Sequence, residues 1–122
     1  MSESIVIRIR QDLSAQWIIV GGGSQLSSPA DGALTDAAKE VDGRRVIILV
    51  PALDVLLLNV EIPVTSFAKI QSALPFALEE SLAEDIEDLH FAVGERMSDS
   101  SLEVAVVSKE KMRYWLTALK EV

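Results

Sequence analysis

The stretch from Ser66 to Ala92, SFAKIQSALPFALEESLAEDIEDLHFA, constrains the fold of this chain more than any other. Phe67, Ile70, Leu74, Leu78 and Leu82 recur at spacings of three or four residues, which aligns them on one face of an α-helix. A helix with such a stripe must bury it, so the segment predicts packing against a sheet. Either Thr65 or Ser66 can cap it, because a side-chain oxygen there can accept a first-turn amide hydrogen. Pro75 interrupts the stripe and costs about 3 kcal/mol in a helix interior unless a kink absorbs it. Two solutions fit: one helix bent near Ser72, or a second helix starting there with Pro75 in its first turn. The apolar stripe keeps its phase across the proline, which favours one kinked helix reaching about Ala83.

The same segment then turns acidic. Six of the ten residues from 79 to 88 are carboxylates: Glu79, Glu80, Glu84, Asp85, Glu87 and Asp88. On a helix, carboxylates near the C-terminus oppose the macrodipole, and Glu80 and Glu84 would repel at i,i+4 spacing. Solvated charge at a helix end is one reading of the cluster. Folding does not require it, and a surface for a basic partner is the other, so these six residues form the candidate partner-binding set.

Bulk composition bounds the alternatives. The 122 residues allow one compact domain or two small lobes, and the 49% hydrophobic content argues against disorder. A net charge of −8 disfavours binding to nucleic acid or to an anionic membrane surface. The sequence has no cysteine, which removes disulfides and thiolate chemistry and fits a reducing compartment. No signal-peptide pattern opens the chain. The longest apolar run, Val46 to Leu58, is broken by Pro51 and Asp54 and falls short of the ~20 residues of a spanning helix. A soluble cytoplasmic polypeptide without direct membrane contact is expected.

Along the chain, Ile5, Ile7 and Ile9 alternate with polar neighbours as in a half-buried strand, and Trp17 to Val20 pairs with it as a hairpin. Residues 21 to 32 read as a loop, and Ala33 to Val41 as two helical turns stopped by Gly43. The run Arg45 to Val50 (RVIILV) reads as a strand buried on both faces. Val55 to Ile62 is a further strand, ended by Pro63. After the central helix come strands over Asp88–Met97 and Leu102–Val107 around a Ser98–Ser100 turn. A final helix, Lys109 to Glu121, is capped by Ser108 with Met112, Trp115, Leu116 and Leu119 on one face. The expected fold class is α/β (α+β), in the order ββ(α)ββ followed by αββα, with a boundary near Pro63.

Catalytic chemistry finds little to work with. His90, the single histidine, is expected half-buried on a strand, and a two-histidine metal site is impossible. Asp85, Glu87 and Asp88 lack the glycine of a calcium loop. Gly21-Gly22-Gly23-Ser24 could cradle a phosphate, but no GK[ST] follows and no helix opens there, so a loop is the better reading. No catalytic, cofactor-binding or metal-binding residue is assigned.

The run ALPFALEESLAEDIEDLHFAVG (73–94), preceded by VPALDVLLLNVEIP (50–63), resembles the cytoplasmic region of the type II secretion system protein L family. More distantly the chain is similar to a pilus-assembly protein and an actin-like cell-division protein. The resemblance implies a partial actin-like, ribonuclease H-like lobe, with sheet from residues 1–62 and an αββα subdomain from 63–122. It implies a component at the cytoplasmic face of the bacterial inner membrane whose full-length form crosses that membrane once. It also implies recruitment of the secretion ATPase (protein E), pairing with inner-membrane protein M, protein F as a further candidate partner, and a homodimer. Active actin-like ATPases carry an acidic residue followed by glycine in their first hairpin, where Mg²⁺ and phosphates are managed. Here Asp12 is followed by Leu13 and preceded by Arg8 and Arg10, which argues against nucleotide hydrolysis, and no cofactor is assigned. The reading is a noncatalytic adaptor between the secretion ATPase and the inner-membrane platform. The alternative is a fragment of an actin-like nucleotide-binding ATPase, and a bare dimerisation module through the last hairpin or the Trp115 helix is the third.

Overall fold

Alternation in the first thirty residues builds the first sheet of this computed structural model, which describes residues 3–21, 27–62, 66–96 and 101–120. Strand β1 (Ser4–Ile9) buries Ile5, Ile7 and Ile9 and leaves Arg8 exposed. It pairs antiparallel with β2 (Ser14–Val20), setting Ile7 opposite Trp17. A third strand, β3 (Ala30–Ala33), continues the sheet beside β2. The sequence reading has a loop there. Four residues rich in Gly, Asp and Ala carry no strand signal of their own, and the ladder to β2 imposes the conformation. Helix α1 (Leu34–Ala38) follows, with the Asp36 carboxylate accepting from the Ala33 backbone N–H. Gly43, at φ +75°, makes the turn into β4 (Arg45–Leu49), which lies parallel to β1. The strand order is β3-β2-β1-β4.

One face of this sheet is a core of Ile5, Ile7, Ala15 and Trp17 with Leu34 and Ala37 of α1. Strand β4 is an edge, and Val46, Ile47 and Leu49 are exposed rather than buried on both sides. Apolar β-branched composition marks a strand suited to burial, but coverage depends on what lies across the face.

The second sheet has the order β5-β7-β6, all antiparallel. A 3₁₀ turn over Ala52–Asp54 leads into β5 (Leu56–Val60). After it come α2 (Phe67–Leu78), β6 (Leu89–Arg96), β7 (Leu102–Ser108) and α3 (Lys109–Lys120). Ile70, Leu74 and Leu78 of α2 pack with Ile62, Leu89, Leu102, Val104 and Val106, as the stripe predicts. Two compact units result: 53–115, and 1–52 together with 116–122. The division therefore falls after Ala52 and not near Pro63, because β5 takes β7 as its partner.

Local details correct the sequence reading elsewhere. Helix α2 runs unbroken through Pro75 but ends at Leu78, five residues short of the expected end. Its last turn holds no cation, and Glu79 and Glu80 oppose the dipole of a longer helix. Ser66 is the N-cap residue by position, although its side chain makes no capping hydrogen bond. Ser108 does cap α3, its hydroxyl accepting from the Lys111 N–H at 3.0 Å. On α3, Trp115 is buried while Leu116 is 49% exposed, so Leu116 leaves the apolar face assigned to it. The Ser98–Ser100 turn and residues 22–26 of the glycine loop lie outside the described residues.

Candidate partner-binding surface

The acidic segment does not continue a helix. Glu79, Glu80 and Ser81 form a 3₁₀ turn, Leu82 is extended at φ −113° and ψ 140°, and Ile86–Asp88 forms a second 3₁₀ turn. The Leu82 amide donates to Glu79 O and the Asp88 amide to Asp85 O. Glu80 and Glu84 are therefore not one α-helical turn apart, and the i,i+4 repulsion drawn from the sequence does not operate. All six carboxylate residues, Glu79, Glu80, Glu84, Asp85, Glu87 and Asp88, are exposed. None has an ion-pair partner among the described residues. Leu82 and Ile86 are half-buried beneath them, and Leu82 packs on the second core, so the apolar residues pin the segment while the acids face water.

Beside this shoulder lies a groove of about 310 Å³ at the end of the second sheet, where β5 begins and β7 runs into α3. Leu53, Leu56, Leu82 and Val107 line it, together with Asp54 and Glu84. The Asp54 Oδ2 is buried and accepts no hydrogen bond; its nearest cation, Lys111 Nζ, is 3.9 Å away. Sequence reading missed this site. In the sequence Asp54 stands only as a break, with Pro51, in the apolar run Val46 to Leu58, and Leu53, carried on the 3₁₀ turn, is exposed.

The first hairpin holds a third polar arrangement. Its turn closes with the Leu13 N–H donating to Arg10 O at 2.9 Å, and Leu13 itself sits at φ +68°. That left-handed conformation suits glycine and costs a branched residue roughly 1–2 kcal/mol. The Asp12 carboxylate accepts from the Ser14 amide at 2.9 Å and the Ser14 hydroxyl at 2.7 Å, which holds its pKa below the ordinary value. Arg10 reaches across to pair with Asp31 on β3, and the Asp31 carboxyl is lowered chiefly by that hydrogen bond. The link to Asp31 was invisible in a segment read as loop.

His90 is exposed on the edge strand β6, opposite Val107, and not half-buried. Among the described residues no cluster of three or more His, Asp or Glu side chains could hold a metal ion. No described helix is long and apolar enough to cross a membrane.

A sheet of order β3-β2-β1-β4 with only β4 parallel, followed by a small second α/β unit, defines a partial actin-like, ribonuclease H-like lobe of mixed α/β class. The solved cytoplasmic domain of EpsL, described as an inner-membrane component of the type II secretion system of Vibrio cholerae, superposes with a TM-score of 0.74. It is 27% identical, with 98% of this chain and 53% of that chain covered. The family model "Type II secretion system (T2SS), protein L" matches residues 8–122, and the chain belongs to that family. Type II secretion system protein L of Dickeya chrysanthemi is 33% identical over 93% of this chain, and that of Vibrio cholerae serotype O1 is 30% identical over 97%. The chain spans 30% of the length of each of these two relatives. Membership ties it to type II secretion.

Proposed function

We propose that this chain acts as a noncatalytic adaptor, holding the cytoplasmic secretion ATPase (protein E) against the inner-membrane platform of the machine. The exposed run of six carboxylates at residues 79–88, without an ion-pair partner among the described residues, is the observation that carries the reading. Charge of one sign, fixed on a packed apolar base, speeds encounter with a basic surface and sets its register. The state of the first hairpin favours adaptor over enzyme. Asp12 is occupied by Ser14, Leu13 stands where active relatives carry glycine, and the Arg10 guanidinium is committed to Asp31.

In the longer protein, protein M and protein F would engage other surfaces of the same platform component. A homodimer would use apolar residues left open here, such as Leu57 on the edge strand β5. The direct test is calorimetric titration of the chain with the N-terminal domain of the secretion ATPase from the same system. Saturable binding is expected, and absence of heat with either this chain or the longer cytoplasmic region refutes the adaptor role.

A further inference from the structure

The groove at the end of the second sheet combines three properties that point to one kind of occupant. Its wall is apolar and open: Leu53 is 93% exposed and Leu56 46%, with Val107 buried at the base and Leu82 half-buried at the side. Leu53 is held in water by the 3₁₀ turn that carries it, and an apolar side chain seated against it would remove both surfaces from solvent. The groove also contains carboxylate in two settings. Glu84 is exposed, while the Asp54 Oδ2 is buried with an unfilled acceptor site, and Lys111 at 3.9 Å is beyond hydrogen-bond reach.

We infer that this groove seats an apolar side chain of a partner protein segment with a lysine or arginine beside it, the cation reaching Asp54 and Glu84. Burial of the apolar anchor supplies affinity. The cation adds charge complementary to the exposed Glu84 and to the Asp54 carboxylate behind the groove wall, whose Oδ2 is itself closed to solvent. Phosphate-bearing partners fit poorly beside these two carboxylates and the five other acidic residues of 79–88. A second copy of this chain is disfavoured too, since each carries 19 acidic against 11 basic residues. The inference rests on the adaptor reading, naming the chemistry of the segment such an adaptor would hold.

Two titrations of the 122-residue chain test it. In the first, the ¹⁵N-labelled chain is titrated with a twelve-residue amphipathic peptide of Leu and Lys, then with its Leu and Glu counterpart. Shifts concentrated at 53–56, 82–84 and 106–108 with the Lys peptide alone are expected. Diffuse shifts over the acidic surface, or equal response to both peptides, overturn the inference. In the second, the secretion ATPase N-terminal domain is titrated into the wild type, Leu53→Ala, Asp54→Asn and the exposed control Phe76→Ala. Leu53→Ala should weaken binding about tenfold, as loss of a central apolar contact does, with Asp54→Asn also weaker and Phe76→Ala unchanged. Wild-type binding that survives Leu53→Ala undiminished overturns the groove and leaves the adaptor role standing. Absence of wild-type binding overturns the adaptor role, and the peptide titration then decides the groove alone.

Discussion

Replacing Leu74 by alanine should separate the two faces of α2 in a single measurement. Leu74 is 0% exposed and packs among Ile70, Leu78, Leu89, Leu102 and Val104. Truncation removes three carbons, worth roughly 2 kcal/mol at about 0.8 kcal/mol per buried methylene. The helix on one side and the three-stranded sheet on the other cannot fully close the void. The added cavity cost brings the expected loss to about 3 kcal/mol, within the range for buried leucines. That is a large share of the ~5–15 kcal/mol stability of a typical domain. Two positions on, Phe76 is 71% exposed, and Phe76→Ala should change stability by less than about 0.5 kcal/mol. Urea unfolding followed by far-ultraviolet circular dichroism, together with the fluorescence of Trp17 and Trp115, gives both values. A loss below about 1 kcal/mol for Leu74→Ala would refute the packing argument. So would an equal loss for the two variants, which would mean that α2 buries a different face and starts the acidic segment in a different direction.

Three further outcomes are expected. Reversing Glu80, Glu84 and Asp85 to lysine moves the net charge from −8 to −2, since each exchange adds two and −8 + 6 = −2. Stopped-flow association with the secretion ATPase domain should slow by about tenfold at low salt and lose much of its salt dependence; unchanged kinetics would make these residues simply solvated. Leu13→Gly should stabilise the chain by about 1 kcal/mol, because glycine adopts φ +68° without the Cβ clash, and a lower urea midpoint would contradict the turn geometry. Asp31, lowered by Arg10, contributes stability that is present above the ordinary carboxylate pKa of about 3.9 and is lost as pH falls through its depressed folded value. Asp31→Asn should therefore flatten the acid limb of the stability profile below about pH 4, and an unaltered limb would show that the pair contributes nothing.

The first hairpin, the α2 stripe, the second hairpin and the Ser108 cap were legible because each is a local rule expressed in neighbouring residues. Period 2 and period 3.6 need no knowledge of the rest of the fold, and a capping hydroxyl acts on amides three residues away. The acidic residues were legible too, and their exposure follows from the cost of burying unpaired carboxylates. Their geometry was not. The same apolar spacing that carried a helix through Leu74 and Leu78 also reached Leu82, and nothing local showed that α2 would stop four residues earlier.

What only the tertiary structure decided are the matters of pairing. Strand β3 exists because β2 offers an edge, not because Ala30–Ala33 prefers to be extended. Strand β5 belongs to the second sheet because its Leu56–Val60 backbone finds β7, which moves the division of the chain to the residue after Ala52. Val46, Ile47 and Leu49 are exposed because β4 is an edge, although their side chains alone suggest burial. The Asp54 groove likewise appears only when Leu53, Leu82 and Val107, distant along the chain, are brought together. Sequence fixes the preferences of each segment over a few residues. Which segment satisfies another's open edge or apolar face is settled by contacts dozens of residues apart, and there the groove beside Asp54 is made.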